Sequence, residues 1–194
     1  VGSEMCIRDR NSLDLTTGDL DGILVTHEHS DHIKGLGVIS RKYGIPIYAT
    51  AGTVDAMVRT NALGKIPEGI FHEIQEDEPF MINDLKVNPF TIPHDAAQPV
   101  GYRLEHEGHS VGIATDLGKY NDYIIENLQG LDALLLEANH DIRMLQVGKY
   151  PYYLKQRILG ERGHLSNRTA GALLAEIMSG KMKHIFPVSY THLR

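Results

Sequence analysis

Short apolar runs alternate with longer stretches of helical periodicity along this 194-residue chain. Apolar runs of strand length occur at 20–25, 45–49, 85–92, 111–115 and 131–136. Apolar residues at helical spacing predict helices from Ile33 to Gly44, from Thr50 to about Leu63 and from Thr169 to Met178. Segments 100–106 and 109–115 flank Glu107-Gly108 and predict a β-hairpin, whereas the acidic segment 66–80 is predicted to be irregular. The alternation predicts α/β content.

The polar residues directly after the first predicted strand are unusually dense in metal-ligand types. Residues 26–32 read T-H-E-H-S-D-H, with three imidazoles and two carboxylates in a strand-to-helix loop. His27 and His29, two residues apart, can chelate one ion, and Asp31 and His32 suit a second ion nearby. Neutral His nitrogen and Asp oxygen suit zinc, manganese or iron. The loop therefore predicts a metal site, and the alternative is a His-rich surface loop.

Two later residues also follow predicted strands. His94 comes after the run at 85–92, and Asp116 comes after the run at 111–115. Taken singly, His94 could belong to a capped turn and Asp116 could be a helix N-cap. Residues at strand ends on one rim of a sheet can converge, so beside the first motif both are predicted to be metal ligands.

Further polar clusters lie in the last third of the chain. The run at 131–136 is followed by a predicted loop that contains Glu137, Asn139, His140 and Asp141. His140 is a candidate catalytic residue there, or it merely packs or caps. Residues 150–158 place tyrosines beside Lys155 and Arg157. Such residues can stack bases and contact phosphates, but the spacing fits equally a helix that buries its tyrosines.

The segment Gly163-His164-Leu165-Ser166-Asn167 precedes the last predicted helix. Ser166 or Asn167 would cap that helix, and free N–H groups at a helix start favour an anion such as phosphate. His164 could donate a proton to a leaving oxygen. We therefore take Ser166 and Asn167, with Lys155 and Arg157, as candidate substrate-binding residues, with a purely structural cap as the alternative.

Composition restricts the possible ligands and partners. The formal net charge of -6 argues against a generic polyanion-binding surface, although bound divalent ions would attract phosphate locally. The only cysteine is Cys6, close to the start, so the metal ligands must be His or carboxylate. No apolar run approaches the roughly 18 residues of a membrane span, and no signal-peptide pattern is present. We therefore expect a cytoplasmic protein without a membrane partner.

These motifs resemble the metallo-β-lactamase superfamily, whose signature is H-x-H-x-D-H followed by a separate His, a bridging Asp and a final His. The segments T-H-E-H-S-D-H-I-K-G, P-H-D-A, G-I-A-T-D-L-G, L-L-L-E-A-N-H-D, L-K-Q-R-I and G-H-L-S-N follow the order seen in its YycJ/WalJ-like subfamily. The resemblance extends from about Asp14 to Phe186. It implies an αββα sandwich of two mixed sheets with helices outside, incomplete at both ends.

The resemblance also implies a function, a metal-dependent hydrolase that acts on DNA as a 5′-to-3′ exonuclease. It implies two divalent ions, zinc or manganese, with His27, His29 and His94 on one, Asp31 and His32 on the other, and Asp116 bridging them. Asp31 then counts among the catalytic residues, and His164 or His140 would protonate the leaving oxygen. Because the same superfamily cleaves thioesters, lactones and β-lactams, hydrolysis of one of these is the alternative.

The two ends of the chain depart from the family pattern. The final His ligand is expected about three residues after Phe186, where Ser189 stands, and His192 lies close by. Segments 1–10 and 188–194 look like a translated sequencing adapter, which would leave a domain at 11–186. A chain without its last ligand could also be an inactive metal-binding fragment.

Overall fold

The computed structural model describes residues 19–188, which fall into two compact units. Of the described residues, the first unit comprises 19–78 and 96–100, and the second comprises 79–95 and 101–188. Segment 1–10, Ser189 and His192 lie outside the described residues, so the predictions about an adapter and a missing ligand stay predictions.

A parallel three-stranded sheet organises the first unit. Its strands are β1 (Ile23–Leu24), β2 (Ile47–Thr50) and β3 (Phe71–Ile74), in that order, and its helices are α1 (Ser30–Ile33), α2 (Leu36–Tyr43) and α3 (Ala51–Arg59). Gly35 has a φ of 88° and separates α1 from α2, because glycine adopts the left-handed conformation without a steric penalty. The helix predicted from Ile33 to Gly44 therefore begins only at Leu36, and α1 lies in the segment that was predicted to be a strand-to-helix loop.

The core of the first unit is formed by the central strand and the helices. Its buried apolar residues are Val25, Ile33, Leu36, Ile47, Ala49, Val54, Met57, Leu63 and Ile70. Thr50 is also buried, and its hydroxyl donates to the carbonyl oxygen of Gln98 at 2.7 Å. The side-chain oxygen of Gln98 accepts in turn from the Gly52 N–H at 2.8 Å. These bonds attach the segment 96–100 to this unit.

The second unit is built on a six-stranded sheet in the order β4 to β9. Its strands are β4 (Phe80–Ile82), β5 (Leu85–Thr91), β6 (Val100–His106), β7 (His109–Ala114), β8 (Ala133–Glu137) and β9 (His184–Val188). The predicted hairpin is confirmed, and its turn residues Glu107 and Gly108 both have positive φ, 46° and 79°, as a type I′ turn requires. Strands β7, β8 and β9 are parallel to one another.

The helices of the second unit are α4 (Asp122–Leu128), α5 (Ile142–Val147), α6 (Tyr152–Leu159) and α7 (Asn167–Ile177). The main core is formed by residues Phe90, Ile92, Ala114, Leu117, Ile124, Leu128, Leu131, Leu134, Leu136, Leu165, Ala170, Leu173 and Ile177. Side chains of β5, β7 and β8 thus meet those of α4 and α7 in one apolar cluster. In contrast, α5 buries only Leu145, and α6 buries none of its residues.

The predicted strands are confirmed, whereas the expectation about segment 66–80 was wrong. Segment 66–80 is not irregular, because it contains β3 and the first residue of β4. Within β3 only Ile74 is buried, whereas His72 and Glu73 are exposed, so the strand has little apolar signal. It is specified instead by pairing with β2, in which Ile47 lies opposite Phe71. Within residues 19–188, no helix has the length and apolar character needed to cross a bilayer.

Candidate metal centre

The T-H-E-H-S-D-H segment begins on a firmly held backbone in the first unit. The Val25 N–H donates to the carbonyl oxygen of Tyr48 at 3.0 Å, and the Thr26 carbonyl accepts from the Val100 N–H at 3.0 Å. The chain is therefore bonded on both sides just before it turns. The hydroxyl oxygen of Thr26 also lies 3.1 Å from Nδ1 of His27.

Three histidines of this segment gather in one cluster. His27 is fully buried, and its ring centroid lies 4.6 Å from that of His29 and 4.1 Å from that of His32. Imidazoles packed this closely offer several nitrogen ligands, which fits a divalent metal such as zinc. Asp31, on α1, is the outward member: its side chain is 70% exposed, and its Oδ2 lies 3.7 Å from Nε2 of His32.

His94 follows β5 in the second unit. The carbonyl oxygen of the preceding Pro93 accepts from the Gly118 N–H at 2.9 Å. The His94 side chain is buried, with Nδ1 at 3.2 Å from the carbonyl oxygen of Gly163 and its ring centroid 5.3 Å from that of His164. The structure thus brings two predicted site residues, 94 and 164, side by side.

Asp116 lies just beyond the end of β7 with a left-handed backbone, at a φ of 56°. This conformation is uncommon outside glycine, although aspartate tolerates it better than most residues. Backbones of this kind are frequent at functional sites. The side chain is buried. Because β7 and β8 are parallel neighbours, the same edge of the sheet carries Asp116 and the last residue of β8, Glu137.

Glu137 is fully buried and accepts three hydrogen bonds. Its Oε2 accepts from the N–H groups of Leu117, at 2.8 Å, and Leu165, at 3.1 Å. Its Oε1 lies 2.6 Å from Nδ1 of His164. A carboxylate with this many donors is held rigidly, so Glu137 fixes the orientation of the His164 ring.

The ligand atoms of Asp116, Glu137 and His164 lie within 4.8 Å of one another, close enough to hold an ion. Both oxygens of Glu137 are already engaged, however, one by His164 and the other by backbone N–H groups. Asp116 is therefore the member suited to a metal, and its Oδ1 lies 3.4 Å from Nδ1 of His164.

The electrostatic surroundings of His164 favour its charged form. Burial acts to lower the pKa of His164, but the hydrogen bond to Glu137 and the negative charges of Glu137 and Asp116 outweigh it. The net result is a raised pKa.

His140 lies near this pair in a different environment. Its side chain is buried, and its Nδ1 lies 3.3 Å from the side-chain oxygen of Asn139. Its Nε2 has no hydrogen-bond partner among the described residues. Burial, and then the positive charge of His164, lower the pKa of His140. The two candidate proton donors therefore differ, because within residues 19–188 a carboxylate orients the ring of His164 but not that of His140.

Ser166 and Asn167 lie at the start of α7. The hydroxyl of Ser166 accepts from the Thr169 N–H at 3.1 Å and so caps the helix. The Asn167 N–H donates to the carbonyl oxygen of His140 at 2.8 Å. These contacts hold the His140 and His164 segments together, and the proposed role of Ser166 and Asn167 in substrate binding stays a prediction.

Lys155 and Arg157 lie on α6 and make contacts within the protein. The ammonium of Lys155 donates to the carbonyl oxygen of Gln146 at 2.7 Å, and Nε of Arg157 donates to Oδ2 of Asp95 at 2.5 Å. The alternative of a helix that buries its tyrosines does not hold, because Tyr152 and Tyr153 are exposed.

Glu137 belongs to the cluster of the second unit, whereas the sequence indicated it only as part of the loop after 131–136. The signal that could have identified it is a carboxylate at the end of an apolar run, L-L-L-E, since a charged side chain is seldom fully buried unless it is paired. Its partner lies 27 positions along the chain, beyond the reach of local patterns.

Comparison with known proteins identifies the family. A profile of the beta-lactamase superfamily domain matches residues 7–185. The chain is 39% identical over 173 residues to exodeoxyribonuclease YycJ of Bacillus anthracis, which covers 89% of this chain and 65% of that protein. It is also 39% identical over 168 residues to exodeoxyribonuclease WalJ of Streptococcus pneumoniae serotype 2 (strain D39), which covers 87% of this chain and 62% of that protein. The chain thus spans less than two thirds of the length of these relatives.

The fold is shared with a solved structure. The metallo-beta-lactamase fold protein YhfI from Bacillus subtilis matches with a TM-score of 0.72 at 17% identity, over 99% of this chain and 73% of that one. The predicted fold class and the predicted resemblance are therefore confirmed. The fold, the relatives and the clusters of histidine and carboxylate are those of metallo-hydrolases. The chain belongs to the beta-lactamase superfamily.

Proposed function

We propose that this chain is a metal-dependent phosphodiesterase that degrades DNA from its 5′ end in the cytoplasm. The observation that carries the proposal is the pair of buried Glu137 and half-buried His164 beside Asp116. This arrangement supports an oriented proton donor next to a candidate metal ligand, which is the arrangement that general acid catalysis of phosphodiester hydrolysis uses. The names of the two exodeoxyribonuclease relatives support DNA as the substrate.

The proposed ligands are those that the family signature assigns. His27, His29 and His94 would hold one divalent ion, zinc or manganese, Asp31 and His32 would hold the second, and Asp116 would bridge the two. Support comes from the histidine cluster of the first unit and from the buried positions of His94 and Asp116 in the second unit.

The protein side chains position and transfer the proton. When bound, two divalent ions would lower the pKa of the attacking water and neutralise charge on the phosphate. Glu137 accepts the hydrogen bond from Nδ1 of His164, which leaves Nε2 as the nitrogen that gives a proton to the leaving oxygen. His164 is favoured over His140 for this step because, in the part of the chain that the structure describes, a carboxylate orients the ring of His164 but not that of His140.

Metal content and DNA degradation test the proposal together. The purified chain would be analysed for bound metal and then incubated with Mn²⁺ and 5′-labelled double-stranded DNA, with YycJ of Bacillus anthracis as the reference enzyme. A 5′-to-3′ exonuclease releases the label at once in very short products, whereas an endonuclease produces a ladder. Bound metal with intact DNA, but with hydrolysis of nitrocefin or a glutathione thioester, would place the chain in the alternative substrate class.

We expect His29→Ala to abolish metal-dependent turnover while the fold is retained, because it removes one nitrogen ligand from the histidine cluster. The measurements are turnover of labelled DNA and the far-UV circular dichroism spectrum. His72→Ala is the matched control, since His72 is an exposed histidine on β3 whose ring stacks on Tyr48. Full activity of the His29 variant would contradict the ligand assignment.

A further inference from the structure

Helices α5 and α6 present an exposed surface that the proposed chemistry does not use. The side chain of Val147 is 86% exposed, and those of Tyr152 and Tyr153 are 77% and 74% exposed. Single exposed apolar residues are ordinary, whereas the exposed residues Met144, Val147, Tyr152 and Tyr153 all fall within segment 144–153. We call this the α5–α6 surface and define it as Arg143, Met144, Val147, Lys149, Tyr152 and Tyr153.

The charge of this segment is opposite to that of the chain. Residues 142–160 contain four basic side chains and no acidic one, whereas the whole chain has a formal net charge of -6. Two of the four, Lys155 and Arg157, contact other parts of the protein. Arg143 and Lys149 are exposed, and neither forms an ion pair within residues 19–188. The surface therefore complements an anionic ligand.

The α5–α6 surface is attached to the candidate site within the second unit. Arg157 of α6 binds Asp95, the neighbour of His94. Beyond the end of α6, the His164 N–H donates to the carbonyl oxygen of Ile158 at 3.0 Å. Tyr153 precedes Arg157 by four residues, so both lie on the same face of the helix. Helix α6, which carries the tyrosines, is thus hydrogen-bonded to the segment that carries His164 and to Asp95.

We propose that the α5–α6 surface binds the single-stranded end of a DNA substrate. Bases would stack on Tyr152 and Tyr153, and backbone phosphates would contact Arg143 and Lys149. The tyrosines select single strands because a ring can stack on a base only when the face of that base is open. Lys155 and Arg157 have a positioning role, since they fasten α6 to α5 and to Asp95. This inference rests on the proposed function in taking DNA as the substrate.

Binding of an uncleavable oligonucleotide tests the surface independently of catalysis. The 194-residue chain would be titrated against a fluorescein-labelled single strand with phosphorothioate linkages, and the fluorescence anisotropy would be recorded. We expect Tyr152→Ala with Tyr153→Ala to raise the Kd about tenfold or more, and Tyr152→Phe with Tyr153→Phe to retain binding. Tyr43→Ala is the matched control, because Tyr43 is an exposed tyrosine on α2, outside the surface. An unchanged Kd in the double alanine variant would overturn the inference.

The salt dependence of the same binding tests the basic residues. We expect Arg143→Ala with Lys149→Ala to reduce the slope of log Kd against log salt concentration by about 0.7 for each lost phosphate contact. An unchanged slope would show that neither Arg143 nor Lys149 contacts the phosphates of the bound strand.

Two further measurements separate this inference from the proposed function. Hydrolysis of bis(p-nitrophenyl) phosphate needs only the metal centre, so the tyrosine variants should retain it. If the wild type binds single strands through its tyrosines but hydrolyses neither this ester nor DNA, the proposed function fails and the surface stands. If light scattering shows that the tyrosine variants change the oligomeric state while oligonucleotide binding is unchanged, the surface is a protein interface and the inference fails.

Discussion

Glu137 combines full burial with a negative charge, and its surroundings explain how the protein tolerates this. Isolated buried carboxylates are strongly destabilising, but three donors surround this one, two from the backbone and one from His164. The same three bonds connect the loop after β7 to the loop before α7. A single side chain therefore supports the structure and orients the proposed proton donor.

We expect Glu137→Gln to lower kcat by about 10² to 10⁴-fold, because the amide no longer orients and stabilises the protonated His164. KM and bound metal should change little, since the proposed role of Glu137 is to position His164 and not to bind the metal. Steady-state kinetics and metal analysis measure these quantities. Glu161→Gln is the control, because Glu161 is an exposed glutamate bound to Lys119. Loss of metal from the Glu137 variant would show that the carboxylate is a ligand after all.

The sequence predicts the candidate residues unevenly. His27, His29, Asp31 and His32 were recognisable as candidate ligands because metal-binding residue types that follow one another in a single segment form a local pattern. The pairing of Glu137 with His164 was not, because it depends on two loops meeting in the folded chain. Spacing alone also could not decide between a capping role and a substrate-binding role for Ser166.

Helix α7 begins at a serine cap, which gives a way to separate those two roles. We expect Ser166→Ala to lower the free energy of unfolding by about 1 kcal/mol, because the Thr169 N–H loses its acceptor. KM for DNA should stay unchanged if the hydroxyl is only a cap. Urea denaturation and steady-state kinetics measure the two effects, with Ser179→Ala, outside any helix, as the control. A raised KM at unchanged stability would support substrate binding instead.

The segment between α6 and α7 needs glycine at position 163. A Cβ there would lie 2.2 Å from the carbonyl oxygen of Ile158, so the backbone that carries His164 would have to move. We expect Gly163→Ala to lower the free energy of unfolding by about 1–3 kcal/mol and to reduce kcat. Gly171→Ala on α7 is the matched control, since its Cβ meets no atom within 4 Å; it should stabilise the protein by up to about 1 kcal/mol. Equal effects of the two substitutions in urea denaturation would contradict this account.

Strands that contain a run of apolar residues were predicted well. Elements that depend on pairing or packing with other parts of the chain were not. Strands β5, β7 and β8 lie in the main core or beside it, and each had an apolar run. Strand β3 exposes two of its four residues and was missed. For α6, the spacing of the tyrosines fitted both a buried and an exposed face, and only the folded chain distinguishes them.

Across the whole chain, periodicity indicated the class of the fold but not its topology. Alternating strands and helices predicted α/β content, whereas the fold class came from the resemblance carried by the metal-ligand motifs. Strand β9 lies next to β8 although 46 residues separate Glu137 from His184. Such pairings arise from packing of the complete chain, which no window of sequence contains.

The hydrogen bond between Glu137 and His164 has a consequence for how such an enzyme could diversify. Glu137 and His164 lie on either side of segment 138–163, which contains α5 and α6. Glu137 belongs to an interior strand of the sheet. The His164 ring is therefore oriented by the sheet, while the His164 N–H is also bonded to Ile158 at the end of α6. Exchanges within 142–153, which leave Lys155, Arg157 and Ile158 in place, could alter which polymer is bound while the contacts of Glu137 and His164 are kept. Substrate range could then change in evolution without a change in the chemistry. A protein engineer could likewise exchange the α5–α6 surface without rebuilding the pair of Glu137 and His164.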